Sequence, residues 1–224
     1  LCLAGDWRLA TDSPLWQIEG TIEDLPLDFL SDKGLLSKPI RGGLAATLLA
    51  KGDREGIVSG DLKMRVPQTH IELGMAEEGF AQLSLRDTTL DMHLADQTLR
   101  ASVKSGFQDT SSVALQVAIE QAGSFARPFW LQPLKGELLI DMQDLSPFAA
   151  LTDFVLRPTG SLNSVLAIDG TLSHPLLSGQ LDLKEGRIAL PSFGIFLQDV
   201  GLSLTAVGES VEIRGKARSG PGSL

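Results

Sequence analysis

Leu134-Lys135-Gly136-Glu137-Leu138-Leu139-Ile140-Asp141-Met142 is the stretch that decides the fold. Its even positions are apolar or Gly, whereas Lys135, Glu137 and Asp141 point the other way, and only Leu139 breaks the rule. A period of two sends alternate side chains to opposite faces of a strand. The same alternation sets Gly179, Leu181 and Leu183 against Gln180, Asp182 and Lys184, and Val211, Ile213, Gly215 and Ala217 against Glu212, Arg214, Lys216 and Arg218. Earlier in the chain, Gly60, Leu62, Met64 and Val66 oppose Asp61, Lys63 and Arg65, Leu90, Met92 and Leu94 oppose Asp91 and His93, and Val113, Leu115, Val117 and Ile119 form another such run. Short turn signals separate these runs: Lys51-Gly52-Asp53, Glu78-Gly79, Asp169-Gly170, Glu185-Gly186 and Gly208-Glu209. Gly supplies the positive φ of tight reversals, so the pattern predicts antiparallel hairpins, on the order of fifteen short strands.

The pattern also occurs twice. The segment from Trp16 to Gly106 returns, shifted by roughly 112 to 120 positions, from Leu134 to Gly220. Asp24-Leu25 before Phe29 answers Asp144-Leu145 before Phe148; Gly42 and Gly52 bracket an apolar run as Gly160 and Gly170 do; Leu85-Arg86-Asp87 answers Leu197-Gln198-Asp199. Ordered self-similarity of this kind predicts a structure that grows by addition along one axis. The expected division is a lead-in strand over 1–15, a first β repeat over 16–133 and a second over 134–224, in one continuous elongated domain. Apolar residues fall at helical spacing in Leu25–Leu36 and in Ser146–Leu156, where Ser146-Pro147 suits a helix start. Each repeat is thus expected to carry one short helix.

Composition removes several classes of function. The chain of 224 residues has 43% hydrophobic content, enough for a core, and a formal charge of -9 with its nineteen Lys and Arg scattered. No basic stripe is present for phosphates, which argues against nucleic acid. No run approaches the ~20 apolar residues of a spanning helix. The absence of an initiator Met and the ending Gly220-Pro221-Gly222-Ser223-Leu224 are expected of an excerpt from a longer protein, and Cys2 as the single cysteine permits no disulfide within the chain.

Catalytic and metal sites need His, Cys or carboxylates converging on a cleft. His70 and His93 fall on the polar side of their strands and His174 precedes Pro175 in a turn. No nucleophile elbow, phosphate loop, H-E-x-x-H or C-x-x-C motif is present. No catalytic residue, metal ligand or cofactor is therefore assigned. The apolar face can belong to a closed sandwich or barrel core, to a membrane barrel, or to an open trough whose contents are apolar. Zero Tyr opposes the membrane barrel, which needs aromatic girdles.

Gly170-Thr171-Leu172-Ser173-His174-Pro175-Leu176-Leu177-Ser178-Gly179-Gln180-Leu181 resembles a strand pair of the TamB proteins, as does Glu185-Gly186-Arg187-Ile188-Ala189-Leu190-Pro191-Ser192-Phe193-Gly194-Ile195. The closing Gly215-Lys216-Ala217-Arg218-Ser219-Gly220-Pro221-Gly222 and the helix start Asp144-Leu145-Ser146-Pro147-Phe148 are similar to that family too. The resemblance covers residues 134–224 best and points to the family's C-terminal region, related to the AsmA-like proteins. It implies an all-β, elongated, curled antiparallel sheet, a β-taco-like trough with an apolar interior. It further implies a periplasmic segment of a protein anchored in the bacterial inner membrane, and a TamA-like outer-membrane barrel protein as partner. The cargo it implies is phospholipid moving between the membranes, or outer-membrane proteins under assembly.

The residues expected to line such a groove are Leu138, Ile140, Leu162, Leu166, Ile168, Leu181, Leu183, Ile188, Leu202, Leu204, Val211 and Ile213. Two alternatives accompany this expectation: a chaperone-like module that binds unfolded outer-membrane strands by β-augmentation, and an ordinary β-sandwich binding domain.

Overall fold

The computed structural model describes residues 2–7, 16–29, 40–53, 56–76, 79–107, 110–120, 128–146, 156–190, 194–219 and 222–223. Thirteen strands follow one another: β1 (Cys2–Trp7), β2 (Trp16–Pro26), β3 (Ile40–Gly52), β4 (Ile57–Ala76), β5 (Gly79–Ala95), β6 (Thr98–Phe107), β7 (Ser112–Ile119), β8 (Leu134–Met142), β9 (Leu156–Gly170), β10 (Pro175–Leu190), β11 (Ile195–Gly208), β12 (Ser210–Ser219) and β13 (Gly222–Ser223). They form one sheet whose spatial order is the chain order, each neighbouring pair antiparallel. The sheet is open and curled, and β1 does not pair with the far edge. At ~4.8 Å per strand, its two edges lie about 58 Å apart along the hydrogen-bonding direction.

Bulges supply the bends. Register shifts interrupt β2–β3 between Ile22 and Leu25, β3–β4 between Gly42 and Ala45, and β5–β6 between Arg86 and Thr89. In the second half they interrupt β9–β10 between Lys184 and Arg187, β10–β11 between Leu183 and Gly186, and β11–β12 between Gln198 and Gly201. An extra residue on one strand bends it and sharpens its twist. Left-handed backbone marks the sites: Asp87 (φ 47°), Glu185 (φ 52°) and Asp199 (φ 49°), with Gly42 at φ 150° and Gly160 at φ 116°. Pro67 sits on the same line in β4, skipped by the ladder between the Val66–Thr88 and Gln68–Arg86 pairs. Lacking an N–H, it suits a position where pairing is already interrupted.

These bends join runs into longer strands, of which there are thirteen among the described residues. Glu185-Gly186, which reads as a turn signal between strands, lies within β10 (16 residues), and Pro67 lies within β4 (20 residues). The first expected helix starts late: Leu25 and Pro26 close β2, Leu27 turns, and Asp28–Phe29 begin helical backbone. Residues 30–36 of that expectation, and 147–155 of the second, lie outside the described residues, as does Pro191. Beyond these, the connection before β8 carries a 3₁₀ turn, Phe129–Leu131.

The accessible surface of 14675 Å² is about half as large again as the roughly 9,900 Å² expected of a compact 23.9 kDa monomer. An open sheet explains the excess. Burial is concentrated in a few residues, with Met142 and Gln132 fully enclosed and Leu27, Leu44, Leu83, Ile119, Leu134, Leu166 and Ala206 nearly so.

Candidate functional site: the apolar lane

Directly opposed residues of an antiparallel pair share a face, so the register shows which side chains line up across strands. Starting in β8, Leu138 pairs with Leu166 of β9, Ile140 with Ser164, and Met142 with Leu162. Ser164 pairs with Leu181 of β10, Leu162 with Leu183, and Ile168 with Leu177. Leu181 then meets Leu204 of β11 and Leu183 meets Leu202, while Leu204 meets Ile213 and Ala206 meets Val211 of β12. Ile188 pairs with Leu197 beyond two bulges, one on each strand. A bulge adds one residue and restores the parity, which keeps Ile188 on the side of Leu183. All twelve predicted lining residues thus occupy one face.

The face does not begin at β8. Leu115 of β7 pairs with Leu138, Val103 of β6 with Leu115, and Leu90 of β5 with Val103. Leu90 in turn pairs with Met64 of β4, Met64 with Ala46 of β3, and Ala46 with Ile22 of β2. One apolar lane crosses from β2 to β12. Its first half carries the same alternation in the sequence, which is the signal that marks these residues as part of the lane.

Exposure along the lane is graded. Leu166 is 7% exposed and Ala206 3%, whereas Leu138, Ile140, Leu162, Ile168, Leu181, Leu183, Ile188, Leu202 and Leu204 are half-buried. At the β12 end the lane opens, with Val211 at 57% and Ile213 at 63%. Ser164 is a buried hydroxyl on the lane, and it donates from Oγ to the Gln180 carbonyl at 3.0 Å. That bond removes the desolvation penalty of a polar group on an apolar face. Small residues recur between the large ones: Gly136 opposes Ile168, and Gly179 lies between Leu166 and Ala206. At Gly179 (φ 140°) a Cβ would sit 2.1 Å from the Val165 carbonyl oxygen, so the two backbones approach as closely as they do only because it is glycine.

The opposite face is charged and cross-linked by hydrogen bonds and ion pairs. His93 Nδ1 lies 2.7 Å from Asp61 Oδ1, Arg65 lies 3.3 Å from Asp87, and Arg218 lies 3.2 Å from Asp199. His70 Nδ1 contacts Ser84 Oγ at 2.9 Å, and His174 Nδ1 contacts Ser173 Oγ at 3.1 Å. The three histidines therefore engage neighbouring polar side chains, and no group of three or more metal-capable side chains occurs among the described residues. Shallow hollows lie on this polar side, one of about 510 Å³ with Asp61, His93, Arg100, Lys135 and Glu137 in its lining. Leu139, the residue that broke the alternation, faces this side between Ala114 and Val165, and is 38% exposed. Among the described residues, no helix is long and apolar enough to cross a membrane.

A family model described as TamB, N-terminal domain, matches residues 4–183. It spans the first half of the lane, where the motif resemblance was loosest, and it places the match in the N-terminal domain rather than the C-terminal region. No curated protein and no solved structure matches the chain. With most of its length covered by that model, the chain belongs to the TamB family.

Proposed function

We propose that this chain is a non-enzymatic periplasmic segment of a TamB-like protein whose apolar lane shields acyl chains in transit between the inner and outer membranes. The observation that carries the proposal is the continuity of one apolar face over β2–β12 in a single sheet, with only a few of its side chains fully buried. Closed sandwich cores bury such residues throughout. Family membership supports a role in outer-membrane protein assembly or lipid transport, alongside a TamA-like partner. The energetic case is direct. Each methylene left in water costs about 0.8 kcal/mol, so two tails of ~15 carbons would meet roughly 24 kcal/mol without shelter. Small residues on the lane suit a concave side, where side chains have less room. We also read the chain as two tandem units, 16–133 and 134–224. Left-handed backbone at both Gly42 and Gly160, and at both Asp87 and Asp199, supports that division.

The test is mass spectrometry of lipids that co-purify with the chain, paired with photo-crosslinking from position 204 in the lane and position 203 on the polar face. Crosslinks to phospholipid from 204 and not from 203 are expected. Equal labelling from both faces, or none from either, would sink the conduit.

A further inference from the structure

The two rims of the sheet, where strands begin and end, differ in their aromatic residues. All three tryptophans of the chain fall at one rim. Trp16 opens β2 opposite Trp7 at the end of β1, and Trp130 stands in the 3₁₀ turn that leads into β8. The other rim carries phenylalanine instead, with Phe107 ending β6 and Phe196 near the start of β11. An indole joins an apolar body to one polar N–H, which suits a boundary between hydrocarbon and water; a phenyl ring has no such polar edge.

Trp16 shows that geometry. It pairs with Gly52 as Ile22 pairs with Ala46, an even number of residues away along the same ladder, so it lies on the lane side. Its ring covers Gly52, where a Cβ would sit 2.1 Å from it, and its Nε1–H donates to the Asp53 carbonyl at 3.1 Å. The body of the ring thus rests on the lane and its polar edge meets the turn. Trp130 is 60% exposed, between exposed Phe129 and Leu131. Backbone bonds fix its position: Leu131 N–H donates to the Pro128 carbonyl, and the Trp130 carbonyl accepts from Ser173 N–H, each at 2.9 Å. Ser173 belongs to the β9–β10 turn, where Thr171 Oγ1 and His174 Nδ1 each lie 3.1 Å from its Oγ. That turn leads to Leu177, an exposed lane residue paired with Ile168. Hydroxyl and imidazole groups, an indole and the start of the lane therefore meet at one stretch of rim. Neither 128–134 nor 170–181 contains Asp, Glu, Lys or Arg, so in a chain of charge -9 these stretches place no carboxylate against a phosphate.

We propose that this rim orients the cargo: a phospholipid lies across the strands with its glycerol and phosphate at Trp130 and the Thr171–His174 turn, and its tails run over Leu177 toward Leu181. The inference rests on the reading of the lane as a shelter for acyl chains and adds which rim takes the head group. The dimensions agree. At ~3.3 Å per residue, the nine residues of β8 cross about 30 Å of sheet. The tails of one leaflet fill about half of a ~30 Å bilayer core. Tails hung from the tryptophan rim therefore end near the middle of the strands.

Tryptophan quenching tests the orientation. With Trp7→Phe and Trp16→Phe, Trp130 is the single reporter, and the chain is mixed with vesicles of phosphatidylcholine brominated either on the tail carbons nearest the glycerol or at the tail end. Bromines near the glycerol are expected to quench Trp130 at least threefold more strongly than those at the tail end. Leu181→Trp, in a chain whose own tryptophans are all replaced by Phe, should show the reverse order. Circular dichroism checks that each variant keeps its strand signal; if the first does not, the difference between wild type and Trp130→Phe isolates the same residue. Equal quenching of Trp130 by both lipids, or stronger quenching from the tail end, would overturn the proposal. So would the absence of quenching while position 204 still crosslinks to phospholipid, an outcome that leaves the conduit standing. Loss of both signals would remove the conduit and this orientation with it.

Discussion

At the scale of single residues, the glycines divide into two kinds that substitution can separate. Gly179 combines φ 140° with a Cβ position 2.1 Å from the Val165 carbonyl oxygen, so Gly179→Ala must displace backbone in the middle of the sheet. A loss of about 2 kcal/mol or more is expected, read as a lower midpoint in urea unfolding. Gly208 has φ 62° and nothing within 4 Å of its Cβ position, so Gly208→Ala meets only the conformational penalty, about 1 kcal/mol. Equal effects would mean that close packing at Gly179 is not what matters. Half of this contrast is legible in the sequence, where Gly208 stands in a turn signal and Gly179 within an alternating run. That Gly179 is needed for its missing side chain is not, because the Val165 carbonyl that a Cβ would meet belongs to a neighbouring strand. Likewise Leu139 stood out as an irregularity, but only its partners Ala114 and Val165 reveal a small apolar patch on the polar face.

At the scale of elements, hairpins and bulges behave as separable parts. The β5–β6 turn uses Asp96 (φ 49°) and Gln97 (φ 58°), a left-handed pair better served by Asp-Gly. Gln97→Gly is expected to stabilise by about 0.5 kcal/mol, seen as a rise of roughly 1 to 2 °C in the melting temperature. Bulge positions should show the same preference: Asp87→Gly would be tolerated, whereas Asp87→Val would cost about 1 to 2 kcal/mol because a β-branched residue resists left-handed backbone. Loss of the Arg65 contact adds little in either case, since both side chains are largely exposed. Strand existence and face were readable from alternation in nearly every run. Strand ends were not, because Pro67 and Glu185-Gly186 carry the same signals whether a chain reverses or merely bends. The choice rests on register with a distant strand, which local pattern does not contain.

For the whole molecule, the lane is the feature to perturb. Leu181→Asp and Leu204→Arg, at paired positions of β10 and β11, are expected to leave the circular dichroism spectrum largely intact and abolish transfer of labelled phospholipid. Global unfolding of both would assign the face to an ordinary interior, and normal transfer by folded variants would remove this segment from the route. The apolar face is visible in the sequence because its period matches the pleat; its extension back to β2 follows from the same alternation, in a region where the family motifs are weak. Register adds one further consequence. Since every strand bonds only to its sequence neighbours, a gain or loss of one hairpin in the gene alters reach by about 10 Å and leaves the remaining ladder intact. Such an architecture lets heredity lengthen or shorten the sheet in small increments without inventing a new fold.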